Sequence, residues 1–512
     1  MLDVVFVNPG NAQGIYQGLS NRFAAVEPPT WALLLAESAR SVGYAVSIVD
    51  VNAEQLNVGE AVERINSMGA RLICFVVYGQ NPNSGTVNMV GASILASALR
   101  DSGSETTRSL VGSHASALPL EVLRTERAID VVFCNEGVYA LRNLLGGNPS
   151  DLEYLETVRG IAFRKVDELM LNPPERVVPQ EHMDVDLPGY AWDLLPKKER
   201  PLDLYRSHFW HAEYDHEKRT PFAAIYTSLG CTFQCDFCMI NILNRNDNEE
   251  IGVASNYAGM RFWSPEWVMK QFSILDQMGV TTIRISDEMF LLNRRYFVPL
   301  CEMLRDTGLG KKLRMWAYSR IDTVRSQKHL ELIRSAGIKW LALGIESGEK
   351  QVRLDVTKGK FEDVDIAAVI DLIEKADIDV IGNYLFGLPG DNHTSMKKTL
   401  DLSLELCTAA WNGYPVIPLP GSELYKKAVS QNARLPDGYL GYSFHSYETL
   451  PMQTEFLSPA EIIKFRDDAF HIYHSHKPFL EKVRVRFGSV AVENIEEMSQ
   501  IRLTRLLLEE RS

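Results

Sequence analysis

The chain has no run of about 18 apolar residues, so no part of it reads as a membrane-spanning helix. It has no basic excess either: 53 Lys and Arg stand against 66 Asp and Glu, a net charge of −13. That balance argues against a general binder of nucleic acid or anionic membrane, whose footprint is a basic surface. The opening Met1-Leu-Asp-Val-Val-Phe lacks the basic start and long apolar core of a secretory signal and reads as a first strand. No Gly-x-Gly-x-x-Gly follows that strand, which disfavours a nicotinamide cofactor. There is no internal repeat and no low-complexity tract. Cysteine is scarce and odd in number, seven in 512 residues. Cys74, Cys134, Cys301 and Cys407 lie scattered in apolar segments and read as buried free thiols. That usage fits a reducing cytoplasm, the expected location.

The other cysteines are crowded. Cys231, Cys235 and Cys238 fall in Cys-x-x-x-Cys-x-x-Cys, a rare spacing. Soft thiolates suit iron, and a trio so close can hold three corners of an iron–sulfur cube. No fourth cysteine lies nearby, so one iron would stay open to an outside molecule. A structural zinc knot is the competing reading, but zinc wants a second Cys or His pair at short spacing, and none follows.

Composition is that of a globular protein, 46% hydrophobic and 23% charged. Residues 1–148 alternate strand and helix patterns. Apolar runs at Val4–Val7, Val46–Val49, Leu72–Val77, Ser109–Val111 and Val131–Phe133 read as buried parallel strands, with amphipathic stretches such as Trp31–Ser41 and Val87–Arg100 between them. This is an α/β, doubly wound, Rossmann-like domain, whose ligands belong at the carboxyl ends of its strands. Residues 149–220 are rich in proline and read as a linker with a small β-element near Ile161–Arg164. From residue 221 to 430 the alternation resumes. Strands are expected at Ala223–Thr227, Thr282–Ile285, Arg314–Ala317, Trp340–Gly344, Val380–Phe386 and Gly413–Ile417. About six βα units make a partial, TIM-like (β/α)6 barrel with its chemistry at the strand ends. Residues 431–512 form a separate, mainly helical region, with helices expected at Pro459–His476 and Val492–Glu510. His471, His474 and His476 have no convincing partner ligand and read as packing or solvated groups.

The cysteine spacing, with aromatic Phe237 before its last member, resembles the signature of the radical S-adenosylmethionine (SAM) enzymes. The strand-end segments Ser286-Asp-Glu288, Tyr318-Ser-Arg320, Gly344-Ile-Glu346-Ser347 and Gly387-Leu-Pro-Gly390 resemble the barrels of that family that follow a cobalamin-binding domain. The resemblance implies that Cys231, Cys235 and Cys238 ligate a 4Fe–4S cluster. It also makes Phe237, Glu288, Arg320, Glu346 and Ser347 candidate contacts to S-adenosyl-L-methionine or substrate. In the first domain, Pro28-Pro29, Val111-Gly112-Ser113-His114 and Asn135-Glu136-Gly137 are similar to the cobalamin-binding domain of the same superfamily. Gly112, Ser113, His114, Glu136 and Gly137 are its candidate cofactor contacts. The Asp-x-His-x-x-Gly motif that ligates cobalt in some such domains is absent, and a lone loop histidine such as His114 is more often a hydrogen-bonding residue than a ligand.

The resemblance covers residues 1–430 and implies a cobalamin-dependent radical SAM methyltransferase. Such an enzyme acts on an unactivated carbon through a 5′-deoxyadenosyl radical and methylcobalamin. The partners would be a small-molecule substrate, capped by residues 431–512, and a one-electron reductant such as flavodoxin or ferredoxin. A radical SAM cyclase or ring-rearrangement enzyme of the same architecture is the alternative within the family. A non-catalytic iron–sulfur or cobalamin sensor or scaffold is the alternative outside it.

Overall fold

The computed structural model describes residues 2–10, 12–79, 81–166, 168–243, 259–358, 361 and 364–509. The first sheet contains β1 (Val4–Asn8), β2 (Val46–Asp50), β3 (Leu72–Val76), β4 (Thr107–Val111), β5 (Val131–Phe133), β6 (Ile161–Lys165) and β7 (Glu168–Leu171), in the order β2-β1-β3-β4-β5-β6-β7. The first five strands are parallel; β6 and β7 add an antiparallel edge. Alternation along β1 explains the two-sided burial. Val4 and Phe6 pack in the core that holds Trp31 and Leu33 of the helix Thr30–Ser41, whereas Val5 and Val7 face the core of Met89 and Leu95 on the helix Met89–Asp101. Strand order reverses between β1 and β3, where an open α/β sheet leaves its crevice.

The second sheet contains β8 (Phe222–Ile225), β11 (Thr282–Ile285), β12 (Arg314–Arg320), β13 (Ile338–Glu346), β14 (Asp379–Phe386) and β15 (Ala410–Pro415), with β9 (Ser228–Leu229) and β10 (Arg261–Phe262) paired beside it. All six main strands are parallel, and β8 and β15 do not meet, so the barrel is open. Three strands depart from expectation. β12 and β13 run further toward the barrel mouth, and the last strand begins earlier, at Ala410.

The proline-rich segment does more than connect. Its β6 and β7 complete the first sheet, and Tyr190, Trp192, Tyr205 and Phe209 are buried beyond them. The Tyr205 hydroxyl donates to Asp50 at 2.9 Å, and Arg206 donates to the Ser20, Asn21 and Ala24 carbonyls. The C-terminal region is helical: Pro459–His474, Lys477–Phe487, Ser489–Gln500 and Leu506–Glu509. The single helix expected over Val492–Glu510 is corrected, with Glu510 outside the described residues. The chain leaves the helix after Gln500 because Arg505 turns inward to Asp467, Ser446 and Thr449. No described helix is long and apolar enough to cross a membrane.

Candidate active site

The cysteine loop is built from the end of β8. Buried Asp287, just past β11, accepts hydrogen bonds from the Thr227 amide and hydroxyl, both at 2.6 Å, and from the Ser228 hydroxyl at 2.7 Å. Burial pushes this carboxyl up, against hydrogen bonds that pull it down. Gly230, at φ +91°, then turns the chain into Cys231 through a conformation that only glycine adopts cheaply. Beyond the turn, the Asp236 amide donates to the Val356 carbonyl at 2.9 Å, and Lys427 Nζ donates to the Asp236 carboxylate at 2.6 Å. From the first domain, Asn83 Oδ1 accepts the Met239 amide at 3.0 Å.

Cys231, Cys235 and Cys238 are all free thiols, Cys231 buried and the others half-buried. Cys231 and Cys238 share an apolar patch with Phe233, Ile240, Met289 and Leu292. Burial pushes Cys231 and Cys238 up to about 12, and Cys235 upward likewise. Among the described residues, no three His, Cys, Asp or Glu side chains gather tightly enough for a single metal ion. Three soft thiols on one loop, none of them in a disulfide, are the donor set that iron–sulfur chemistry uses. The residues therefore fit the implied group.

Polar side chains surround the thiols. Arg320 forms a bidentate pair with Asp322, both contacts at 2.6 Å, and its guanidinium lies 3.7 Å from the ring centre of Phe233 in the cysteine loop and 4.7 Å from that of Phe361. Glu346 sits at φ +66°, a conformation costly for a residue with a side chain. Its carboxylate folds over Gly344, where a Cβ would fall 2.5 Å from Oε1. Burial raises Glu346 to about 7, against the pull of Arg320 and Arg353. Burial also raises Glu288 to about 8, reinforced by Asp287 and opposed by Arg284. Ser347 and Phe237 are engaged elsewhere. The Ser347 hydroxyl accepts the Glu349 amide at 3.1 Å and faces Thr399 at 3.3 Å, and Phe237 packs among Val352, Val356 and Leu424.

The candidates of the first domain lie at the ends of β4 and β5. A Cβ on Gly112 would fall 2.7 Å from the Val77 carbonyl, and Gly137 turns at φ +75°. Ser113 donates to the Pro82 carbonyl at 3.0 Å. His114 is buried 3.3 Å from the Thr86 hydroxyl, edge-on to Tyr439, and burial lowers it to about 4. Glu136 is paired with Arg261 of β10 at 2.8 Å, which ties the first sheet to the cysteine loop's own hairpin.

The crevice instead opens at the ends of β1, β2 and β3. Asn8, Glu27, Trp31, Asn52, Tyr78 and Ser84 line it, and Tyr226 and Ser286 close it from the barrel. Trp31 and Tyr78 stack at 4.6 Å. The Glu27 side chain pairs with Arg284 of β11 at 2.6 Å and hydrogen-bonds His208 Nε2 at 2.8 Å, and the Arg284 guanidinium with that hydrogen bond holds its carboxyl below the usual range despite burial. Glu27, Arg284, His208 and Asn83 were not singled out in the sequence. Of the residues that carry the family resemblance, Pro28-Pro29 lie beside one of them, Glu27. A second cavity, about 240 Å³, lies between the first domain, the barrel and the C-terminal helices.

Comparison with known proteins places this geometry. Residues 225–403 match the radical SAM superfamily. The chain is 22% identical over 417 residues to an uncharacterized methyltransferase of Pyrococcus horikoshii, an alignment spanning 81% of this chain and 82% of the relative. It is 24% identical to an anaerobic magnesium-protoporphyrin IX monomethyl ester cyclase of Cereibacter sphaeroides, across 90% of this chain and 68% of that one. Among solved structures, it resembles the radical SAM methyltransferase TsrM of Kitasatospora setae with tryptophan and a SAM analogue bound. The TM-score is 0.67 at 14% identity, over 98% and 99% of the two chains. OxsB with aqua-cobalamin and SAM bound is similar at a TM-score of 0.63 and 14% identity, over 97% and 72%. At such identities these structures establish the shared fold.

Proposed function

On the premise that residues 225–403 form a radical SAM domain, we propose that the whole chain is a cobalamin-dependent radical SAM methyltransferase acting on an unactivated carbon. One observation carries this reading: three free thiols follow the first strand of an open parallel barrel, and Tyr226 and Ser286 of that barrel close a crevice at the strand ends of a doubly wound sheet. Cys231, Cys235 and Cys238 would hold the cluster, and the crevice beside Trp31 and Tyr78 would take the corrin. When bound, these groups supply one-electron cleavage of the sulfonium and a methyl carrier, chemistry that no side chain provides.

The chain's own residues position and shield. Asp287 fixes the first turn of the cysteine loop, and Asn83 and Lys427 fix its far side. Arg320, flattened against Phe233 and braced by Asp322, offers a cation beside the loop for a carboxylate. Burial raises both Glu288 and Glu346 above the ordinary carboxylate range, so either can hold a proton and donate as well as accept hydrogen bonds to an amine and hydroxyls. Stacked Trp31 and Tyr78 wall the crevice from water. The electron would come from an external donor such as flavodoxin or ferredoxin.

Ring closure is the second reading, favoured by the cyclase relative that aligns with 90% of this chain. Anaerobic reconstitution with iron, sulfide, cobalamin, SAM and a reductant separates the readings. Methyl transfer yields 5′-deoxyadenosine and a product heavier by one methylene; cyclisation yields 5′-deoxyadenosine without that gain. An intact cluster that never cleaves SAM would leave a sensor or scaffold as the function.

A further inference from the structure

The C-terminal wall of the second cavity carries a charge imbalance. Arg505 donates to Asp467 through Nε and Nη2 at 2.8 and 2.9 Å, and its Nη1 donates to Ser446 and Thr449, both at 2.8 Å. Arg466 donates to the same Asp467 through Nη1 at 2.9 Å and to the Gly413 carbonyl through Nε at 2.7 Å. Both arginines are buried, at 5% and 2% exposure for Arg466 and Arg505, and the two cations share one anion, the partly exposed Asp467. Arg466 is the one of the two that lines the cavity, and its Nη2 meets no protein acceptor among the described residues. Among the described lining residues there is no Asp, Glu or Lys, and Arg466 is the single arginine. The neighbouring His445 and His474 are held neutral, lowered by burial to about 3 and about 4. A buried cation lacking its own counter-ion is costly unless an anion completes it.

The rest of the wall is aromatic. Tyr318, Trp411, Tyr414, Phe444 and Phe470 surround the space. We propose that this cavity binds a substrate with a planar aromatic body and a carboxylate, and that Arg466 receives the carboxylate through Nη2. The inference deepens the reading above, since it names the substrate class of the same site. It assigns a specificity role to the C-terminal region, where no sequence motif could be found.

The test is a binding measurement on the full reconstituted chain without reductant, so that it stands apart from turnover. The probes are 2-naphthylacetate and its neutral amide, followed by calorimetry. Wild type should bind the acid about tenfold or more tightly than the amide. Arg466→Gln should bind the two equally, and Arg466→Lys should restore part of the preference, with both variants melting as wild type. If Arg466→Gln unfolds, Arg466→Lys and a salt titration of the wild-type preference carry the test. Failure of wild type to bind the acid, equal affinity for acid and amide, or a preference that survives in folded Arg466→Gln overturns the proposal. Loss of hydroxocobalamin binding in Arg466→Gln also overturns it, by assigning the charge to the corrin phosphate. Absence of 5′-deoxyadenosine in the turnover assay would defeat the proposed function and leave this result untouched.

Discussion

At the scale of residues, the seven cysteines divide by surroundings. Cys74 and Cys301 are sealed in the cores, and Cys407 sits at the end of the helix His393–Leu406, far in the chain from the loop. Replacing Cys231, Cys235 or Cys238 by Ala should abolish the brown absorbance and SAM cleavage after reconstitution, while Cys74→Ala and Cys407→Ala keep both. Equal iron content in wild type and Cys235→Ala would defeat the cluster assignment. Asp50 gives a different prediction. Burial raises its carboxyl to about 6, although Ala53, Asn8 and Tyr205 all donate to it. A carboxyl raised on folding holds its proton more tightly in the native state, so its stabilising effect is full below pH 4 and is lost as pH rises to about 6. A two-unit rise corresponds to about 3 kcal/mol. Asp50→Asn should therefore gain on wild type, by up to that amount, in urea titrations taken from pH 4 to pH 7. A constant difference across that range would show that Asp50 titrates normally.

Elements show where the sequence was readable and where it was not. Buried parallel strands are near-continuous apolar runs, so Leu72–Val76 and Thr282–Ile285 could be placed from residues alone. Strand ends carry the polar groups, so Glu288, Arg320 and Glu346 were visible as a set. The first domain was harder, because Gly112, His114 and Glu136 carry a family pattern and also make packing and pairing contacts that no local pattern shows. Glu27, His208 and Arg284 come together from distant parts of the chain, and no local pattern announces such a trio. The helix Lys477–Phe487 hid behind a proline at its start and only two fully buried side chains, Phe479 and Val483. The Glu136–Arg261 pair, buried at 2% and 3%, joins two elements that the sequence assigns to different domains. Glu136→Gln removes the carboxylate from the buried Arg261 guanidinium, which keeps its bond to the Val178 carbonyl, and should cost about 3–5 kcal/mol in urea unfolding. A loss below about 1 kcal/mol would mean that water reaches Arg261 and screens it.

Across the whole molecule, the two sheets are less separable than a linker would make them. A fragment ending at residue 148 would lack β6 and bare the edge of β5, while Asp50 would lose Tyr205. It should elute as aggregates in size-exclusion chromatography, since an unpaired edge strand templates association. A monodisperse monomer would restore the boundary expected there. One small contact also ties the halves. Asn83 belongs to the loop after β3, yet it holds the backbone of the cysteine loop at Met239. Whatever displaces Asn83 on one side would alter the loop proposed to hold iron on the other. By reciprocity, metal loading would change the grip on that displacing guest by the same factor, so the affinity of either, measured with and without the other, reports the coupling of both.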